Sequence, residues 1–137
     1  MNLRSEIFKP TFLPFQKLQL PLHVQGSNLA MEQVKVIETI KRVARDVLPK
    51  GSSLYLYGSR ARGDYHEDSD WDLLLLLDKP KREDKDFANY AYPIMEQGFD
   101  MWQYFSVHTY TKEEWYNSPH SMFYFNVEQD KKLLYES

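Results

Sequence analysis

Two short polar motifs border the most apolar stretches of this 137-residue chain. Asp70 and Asp72 lie at the start of the run WDLLLLL, and Gly58-Ser59 follows SLYLY, with ten residues between Ser59 and Asp70. Side chains alternate along a strand, so Asp70 and Asp72 are predicted to point to one side, where they repel each other unless a cation lies between them. Two carboxylates suit Mg²⁺ or Mn²⁺, which also binds substrate phosphates and water.

The Gly58-Ser59 turn is a candidate phosphate site. A glycine lets the backbone approach a ligand closely, and free N–H groups together with the serine hydroxyl can hold phosphate oxygens. Either motif alone is weak evidence, because an isolated Asp-x-Asp is usually solvated and a Gly-Ser after a strand is usually an ordinary turn. In combination they predict a site for a metal-bound nucleoside triphosphate, in which the turn holds the phosphates and the aspartates hold the metal.

Hydrophobic spacing predicts the elements that position these motifs. The predicted helices cover about 28–48 (capped by Ser27 or Asn28), 83–97 and about 118–130, with one more opened by the capping box of TKEEW; the predicted strands cover 53–57, 71–78, 99–110 and the terminal KLLYE. Pro93 should kink or shorten its helix. This order predicts an α/β fold, a small mixed β-sheet with flanking helices.

Length and composition narrow the class of protein. The length supports one domain at 28–137, and residues 1–27, with three prolines and no helical period, are predicted to form an extended or loosely ordered arm. The chain has no cysteine, so thiolate catalysis and disulfides are excluded, and its net charge of −3 argues against nonspecific nucleic-acid binding. No apolar run approaches the roughly 20 residues of a membrane span, and we expect a cytoplasmic protein.

The spacing from Gly58-Ser59 to Asp70-x-Asp72 resembles the nucleotidyltransferase superfamily with the DNA polymerase beta-like fold. The fuller pattern GSRARG…SDWDLLLLL is similar to its minimal nucleotidyltransferase branch, small proteins often encoded beside a HEPN-domain partner, as in toxin–antitoxin pairs. The resemblance covers about residues 31–115 and is strongest in the motifs. It implies transfer of a nucleoside monophosphate, commonly AMP from ATP, with Mg²⁺.

Carried onto this sequence, the resemblance implies that Gly58 and Ser59 hold the triphosphate while Asp70 and Asp72 bind the metal. Arg60 and Arg62 also lie in the motif, and we expect one of them to neutralise phosphate or pyrophosphate charge.

The resembling family has a third carboxylate on a later strand, which binds metal and helps to deprotonate the acceptor hydroxyl. Aligning TKEEW with the end of that strand places Ser106, which is not an acid, near the expected position. Asp100 shares the strand parity of Ser106 but lies about 20 Å further back at roughly 3.3 Å per residue. Either Asp100 is the third ligand through an unexpected register, or the site is incomplete.

Two functions are therefore predicted from the sequence. The first is a metal-dependent nucleotidyltransferase acting on a hydroxyl of a partner, for which the family suggests a HEPN-type protein; a nucleic-acid acceptor is less expected. The second is a catalytically weak or inactive nucleotide-binding module, antitoxin-like, that acts by complex formation. A third interpretation is a structural protein in which the Asp pair merely solvates a strand end. His66, His108 and His120 are scattered over different elements, so a metal cluster of histidines is not expected.

Overall fold

The computed structural model describes the backbone of residues 22–137 and the side chains from residue 29 onward. The predicted N-terminal arm lies mostly outside the described residues, at 1–21. The helices are α1 (Leu22–Val47), α2 (Ser59–Arg62), α3 (Tyr92–Asp100, preceded by a π-helical turn at Phe87–Ala91), α4 (Lys112–Asn117) and α5 (Met122–Asp130). The strands are β1 (Ser53–Tyr57), β2 (Trp71–Leu77), β3 (Phe105–Thr111) and β4 (Lys132–Glu136).

The four strands form one mixed sheet in the order β3-β2-β1-β4. β2 runs antiparallel to β1 and parallel to β3, so the chain must cross over between β2 and β3, and the π-helical turn with α3 makes that connection. The register places Tyr57 opposite Asp72 on one side and Ser106 opposite Asp72 on the other. The predicted α/β fold with a small mixed sheet is confirmed.

The central strand β2 is covered on both faces, as its continuous apolar run predicts. Leu73, Leu75 and Leu77 pack into a cluster with α1, whereas Leu74 and Leu76 pack into a second cluster with Trp115 of α4 and Val127 of α5. All five leucines have 0% exposure. The even-numbered side chains of β2 therefore share the face covered by α4 and α5, and Asp72 belongs to that face.

Four predicted boundaries are wrong, one of them the start of the last helix, which begins at Met122 and not near residue 118. The first helix begins at Leu22 and not near Asn28, so neither Ser27 nor Asn28 caps it. The predicted helix 83–97 is divided into the π-helical turn and α3, and Pro93, which has no N–H to continue the ladder, follows directly after the wide turn, in the first turn of α3. The third strand starts at Phe105, six residues later than predicted, because α3 extends to Asp100.

The reversal between α3 and β3 explains the late start of that strand. The backbone N–H of Met101 and that of Gln103 both donate to the Gly98 carbonyl, at 2.9 and 2.8 Å, and Trp102 adopts a φ of 59°. A Cβ on Gly98 would lie 3.0 Å from the Gln103 carbonyl oxygen and 3.0 Å from the Phe105 ring, so a glycine suits this close approach. Residues that the hydrophobic pattern assigns to a strand therefore form this tight turn.

The predicted capping box is confirmed: the Thr111 hydroxyl accepts from the Glu114 N–H at 3.0 Å, and the Glu114 carboxylate accepts from the Thr111 N–H at 2.8 Å. It sets the point at which β3 ends and α4 begins. Among residues 22–137, no helix is both long and apolar enough to cross a membrane.

Candidate active site

The turn after β1 lies directly against the Asp72 carboxylate. Gly58 has a φ of 74° and a ψ of −158°, a conformation essentially restricted to glycine. A Cβ at this position would lie against Asp72 Oδ2 and 3.3 Å from Asp72 Cγ. The glycine is therefore required twice, for the backbone angle and for the space that the carboxylate fills.

Ser59 opens the one-turn helix α2 immediately after this glycine. The Gly58 carbonyl accepts from the backbone N–H groups of Ala61 and Arg62, both at 3.0 Å, and Gly63 ends the helix with a φ of 98°. Ser59 is only partly exposed. The two triphosphate-binding candidates are thus held at one end of the sheet, where β1 delivers them beside the start of β2.

The two aspartates come together at the same place. Asp72 is partly buried, and its pKa is raised above the usual range by this burial and then by the nearby charge of Asp70. The charges of His108 and Arg62 act in the opposite direction and lower the Asp72 pKa. A half-buried carboxylate beside a second one is an arrangement that a divalent cation relieves, so the residues present fit a metal with oxygen ligands. Among the described residues, no group of three or more acids or histidines is clustered for metal binding.

Arg60 supports the loop that leads to Asp70. It is 4% exposed, and its Nη2 donates to the carbonyls of Glu67 and Ser69 at 3.3 and 3.1 Å. Its guanidinium also lies over the rings of Tyr65 and Trp71, at 4.6 and 4.5 Å from their centroids. Of the two arginines expected near phosphate, Arg60 is thus already committed to the loop backbone and two aromatic rings.

Arg62 is placed differently, on the exposed side of α2. Its side chain is 47% exposed; Nη1 pairs with Asp130 Oδ2 at 2.8 Å, and Nε pairs with Asp64 Oδ2 at 3.3 Å. The hydrogen bonds to Asp130 and then to Asp64 raise its pKa, so it stays cationic. Because its side chain is exposed while that of Arg60 is buried, Arg62 is the motif arginine more accessible to a bound ligand.

The third carboxylate is missing from the expected position. Ser106, the residue that the alignment from TKEEW gives for this position, is the direct neighbour of Asp72 across the parallel β2–β3 pair. Asp100 is the last residue of α3 and does not lie on β3, so the strand parity that made it a candidate is wrong.

Two further residues lie on this face: Tyr57, which the sequence did not single out, and His108, which the sequence suggested only as an unexpected metal ligand. His108 is exposed, two residues beyond Ser106, and its Nδ1 is hydrogen-bonded to the Tyr57 hydroxyl at 2.8 Å. Burial, followed by the charge of Asp72, raises the Tyr57 pKa, so Tyr57 remains protonated in neutral solution. Side-chain alternation along the predicted strand could have identified His108, because residues 106 and 108 point to the same face of a strand.

A cavity of about 630 Å³ opens beside His108 at the outer edge of β3. Its lining includes Arg82, Tyr110 and Glu114 together with Phe87 from the π-helical turn. The Arg82 side chain lines the cavity; it forms an ion pair with Glu114 Oε1 at 2.9 Å and donates a hydrogen bond to the Thr109 carbonyl at 3.1 Å. The cavity gives solvent and small groups access to the His108 side of the sheet.

Sequence comparison identifies one family over most of this chain. A family profile described as "nucleotidyltransferase domain" matches residues 36–133, which include both motifs and all four strands except the last residues of β4. A comparison with curated proteins found no match.

Solved structures with the same fold include nucleotidyltransferase-like proteins. A toxin–antitoxin crystallised with AMP-PNP aligns with a TM-score of 0.54 and 19% identity over 74% of this chain and 73% of that chain. A putative nucleotidyltransferase from Sulfolobus solfataricus aligns with a TM-score of 0.51 and 21% identity over 79% and 86% of the two chains. A mutant of the toxin–antitoxin MntA-HpeT gives a TM-score of 0.53 and 17% identity over 74% and 73%. At these identities the likeness concerns the fold.

Proposed function

The chain belongs to the nucleotidyltransferase domain family, and we propose that it transfers a nucleoside monophosphate, AMP from ATP, to a hydroxyl on a partner. The observation that carries this proposal is the contact between the Gly58 turn and the Asp72 carboxylate, with the Asp70 charge beside it. A phosphate-binding backbone and metal-binding carboxylates must lie side by side in any site that holds a metal-bound triphosphate, and the close approach of the Gly58 turn to Asp72 supports that arrangement.

Asp70 and Asp72 would hold a divalent cation, Mg²⁺ or Mn²⁺, in this site. When bound, such an ion neutralises phosphate charge and makes the reacting phosphorus more open to attack. Gly58 and Ser59 would hold the triphosphate through backbone N–H groups and the serine hydroxyl, because Gly58 lies against Asp72 and Ser59 follows it in the turn.

We assign Arg62, and not Arg60, to the phosphates. Arg60 is buried against loop carbonyls, so its role is to position the residues that lead to Asp70. Arg62 is exposed, and its charge acts on Asp72. If phosphate oxygens replaced its carboxylate partners Asp64 and Asp130, Arg62 would keep its charge-assisted hydrogen bonds.

The acceptor would be a second protein. The domain is small, and the sheet face around Asp72 is shared with α4 and α5, so recognition of a large acceptor requires surface from another chain. A toxin–antitoxin among the structural neighbours was crystallised with an ATP analogue, which supports ATP and a protein partner for this chain too. The resemblance suggests a HEPN-type protein modified on a tyrosine.

The direct test uses ATP labelled at the α-phosphate, Mg²⁺ and the protein encoded beside this one in the genome. Label on that protein supports the proposal, and ATP labelled at the γ-phosphate should leave no label, because pyrophosphate departs. Asp70→Asn and Asp72→Asn should abolish transfer, whereas Asp46→Asn, on the exposed side of α1, is the matched control and should leave it intact. Transfer that survives both active-site substitutions would refute the proposed site.

The alternative is a nucleotide-binding module that acts by complex formation without turnover. The observation that favours it is Ser106, which occupies the position next to Asp72 where the resembling family has a carboxylate. This function predicts that Mg²⁺ and ATP raise the melting temperature of the wild type but not of Asp72→Asn, and that the protein binds its partner tightly with no label transferred. A lack of any Mg²⁺-dependent ATP effect would instead favour a purely structural Asp pair.

A further inference from the structure

His108 lies on the face of the sheet that carries the candidate metal ligands. Asp72 is opposite Ser106 and Leu74 is opposite His108, so residues 72, 106 and 108 share one side of the parallel pair. Tyr57 is the register partner of Asp72 on the other side of β2, and its hydroxyl is hydrogen-bonded to His108, so His108 and Asp72 contact or pair with the same tyrosine. Because His108 is exposed, its ring is accessible to a second molecule.

Neighbouring side chains fix the orientation of the His108 ring. Nδ1 is hydrogen-bonded to the Tyr57 hydroxyl at 2.8 Å, and the Phe123 ring meets the imidazole edge-on with centroids 5.4 Å apart. Tyr57 is itself held by Phe123, at 5.9 Å and an interplanar angle of 85°. When Nδ1 carries the hydrogen and donates it to the Tyr57 oxygen, Nε2 is left as a proton acceptor.

Transfer to a hydroxyl requires a group that takes the hydroxyl proton. Asp70 and Asp72 would be committed to the cation, and the Ser106 hydroxyl is not a base in neutral solution. On this face, the His108 imidazole, with Nδ1 held by Tyr57 and Nε2 able to accept a proton, is the side chain chemically suited to general-base action. The cavity beside β3 leads to it from outside the sheet.

We propose that His108, oriented by Tyr57, is the proton acceptor for the acceptor hydroxyl, which enters through the cavity at the outer edge of β3. This inference rests on the proposed function. The hydroxyl oxygen forms a bond to the α-phosphorus of the nucleotide, and its proton passes to Nε2 of His108. The bond between the α-phosphorus and the bridging oxygen breaks, and pyrophosphate leaves with the bonding electrons. The Tyr57 oxygen then stabilises the resulting imidazolium through Nδ1–H.

The test measures label transfer from α-labelled ATP to the neighbour-encoded protein. His108→Ala should lower the turnover rate by about 10²- to 10⁴-fold, the range of general-base assistance, with the ATP affinity changed less than about threefold. Because the substitution opens space beside an accessible cavity, added imidazole should restore part of the lost rate in proportion to its concentration. His120→Gln, an exposed histidine on the chain between α4 and α5, is the matched control and should behave as the wild type.

A second variant keeps the test independent of the alanine substitution. Ser106→Asp combined with His108→Gln places a carboxylate next to Asp72 and should recover activity relative to His108→Gln alone. A wild type that transfers label while His108→Ala transfers it equally fast would overturn the role of His108 and leave the proposed function standing. A His108→Ala protein that melts normally but is not rescued by imidazole would also overturn it. No transfer by the wild type would remove the proposed function, and this inference with it.

Discussion

Replacement of Gly58 by alanine tests the contact on which the site depends. Residue 58 has a φ of 74° and a ψ of −158°, a region that costs a non-glycine residue about 1–3 kcal/mol. The new Cβ would also collide with Asp72 Oδ2, and forcing the aspartate off its preferred rotamer costs about 0.5–1.5 kcal/mol more. Together these terms predict that the free energy of unfolding falls by roughly 1.5–4.5 kcal/mol.

Urea denaturation measures that loss, and Gly63→Ala is the matched control. Gly63 also has a positive φ, of 98°, but a Cβ there would meet no other described heavy atom within 4 Å. Gly63→Ala should therefore cost only the strain of a left-handed backbone, about 1–2 kcal/mol. Because the collision moves Asp72, Gly58→Ala should also lose the rise in melting temperature with Mg²⁺ and ATP, and Gly63→Ala should keep it.

A double-mutant cycle with Asp72→Ala isolates the collision. If the carboxylate is the obstacle, removing it should make Gly58→Ala less damaging by about 0.5–1.5 kcal/mol. Equal losses for Gly58→Ala in the two backgrounds, together with a loss no larger than that of Gly63→Ala, would refute the close packing of the turn against Asp72.

Three further predictions follow from the charged residues of the site. Arg60→Met should lower the free energy of unfolding by about 2–4 kcal/mol, because the part-buried carbonyls of Glu67 and Ser69 lose their donor. Urea denaturation measures this loss, and a loss below about 1 kcal/mol would contradict the role of Arg60 in holding the loop. Asp72→Asn should raise the melting temperature in EDTA at pH 7. The pKa of Asp72 is raised in the folded state, so the ionised carboxylate costs the fold stability as pH rises from the unfolded-state pKa through the folded-state pKa. The gain from Asp72→Asn should therefore vanish below the unfolded-state pKa of about 4. A gain that is unchanged at pH 3 would contradict this. Arg62→Ala should weaken Mg²⁺-ATP binding about tenfold in calorimetric titration, whereas Arg42→Ala on α1 should bind normally. The unfolding transition should change little, because the Arg62 side chain is 47% exposed and solvent screens its ion pairs.

Local patterns were sufficient for much of the fold. The strands at Ser53–Tyr57 and Trp71–Leu77 and the capping box at Thr111 lie where periodicity and turn residues predict them. These signals depend on short-range chemistry, such as alternation, a bordering glycine or a hydroxyl three residues before a glutamate, and so can be read along the chain.

The predictions failed where tertiary contacts override local preference. The stretch from Phe99 to Tyr104 is aromatic and strand-like in composition, yet its first two residues finish α3, and the rest turn around the Gly98 carbonyl. That turn forms because Gly98 lets Phe105 approach, which is a contact between elements. The same error made Asp100 a candidate on a strand to which it does not belong.

The sequence by itself determined the family, the two motifs and the absence of an acid at residue 106, since all of these depend on residue types and their spacing. Only the tertiary structure decided how the two arginines differ, one buried under a loop and the other paired with Asp130 from the far end of the chain. It also brought His108 and Tyr57 together from strands that are not neighbours in the sheet. The physical reason is that side-chain burial and pairing across a sheet depend on register and on covering helices, which spacing along the chain does not specify.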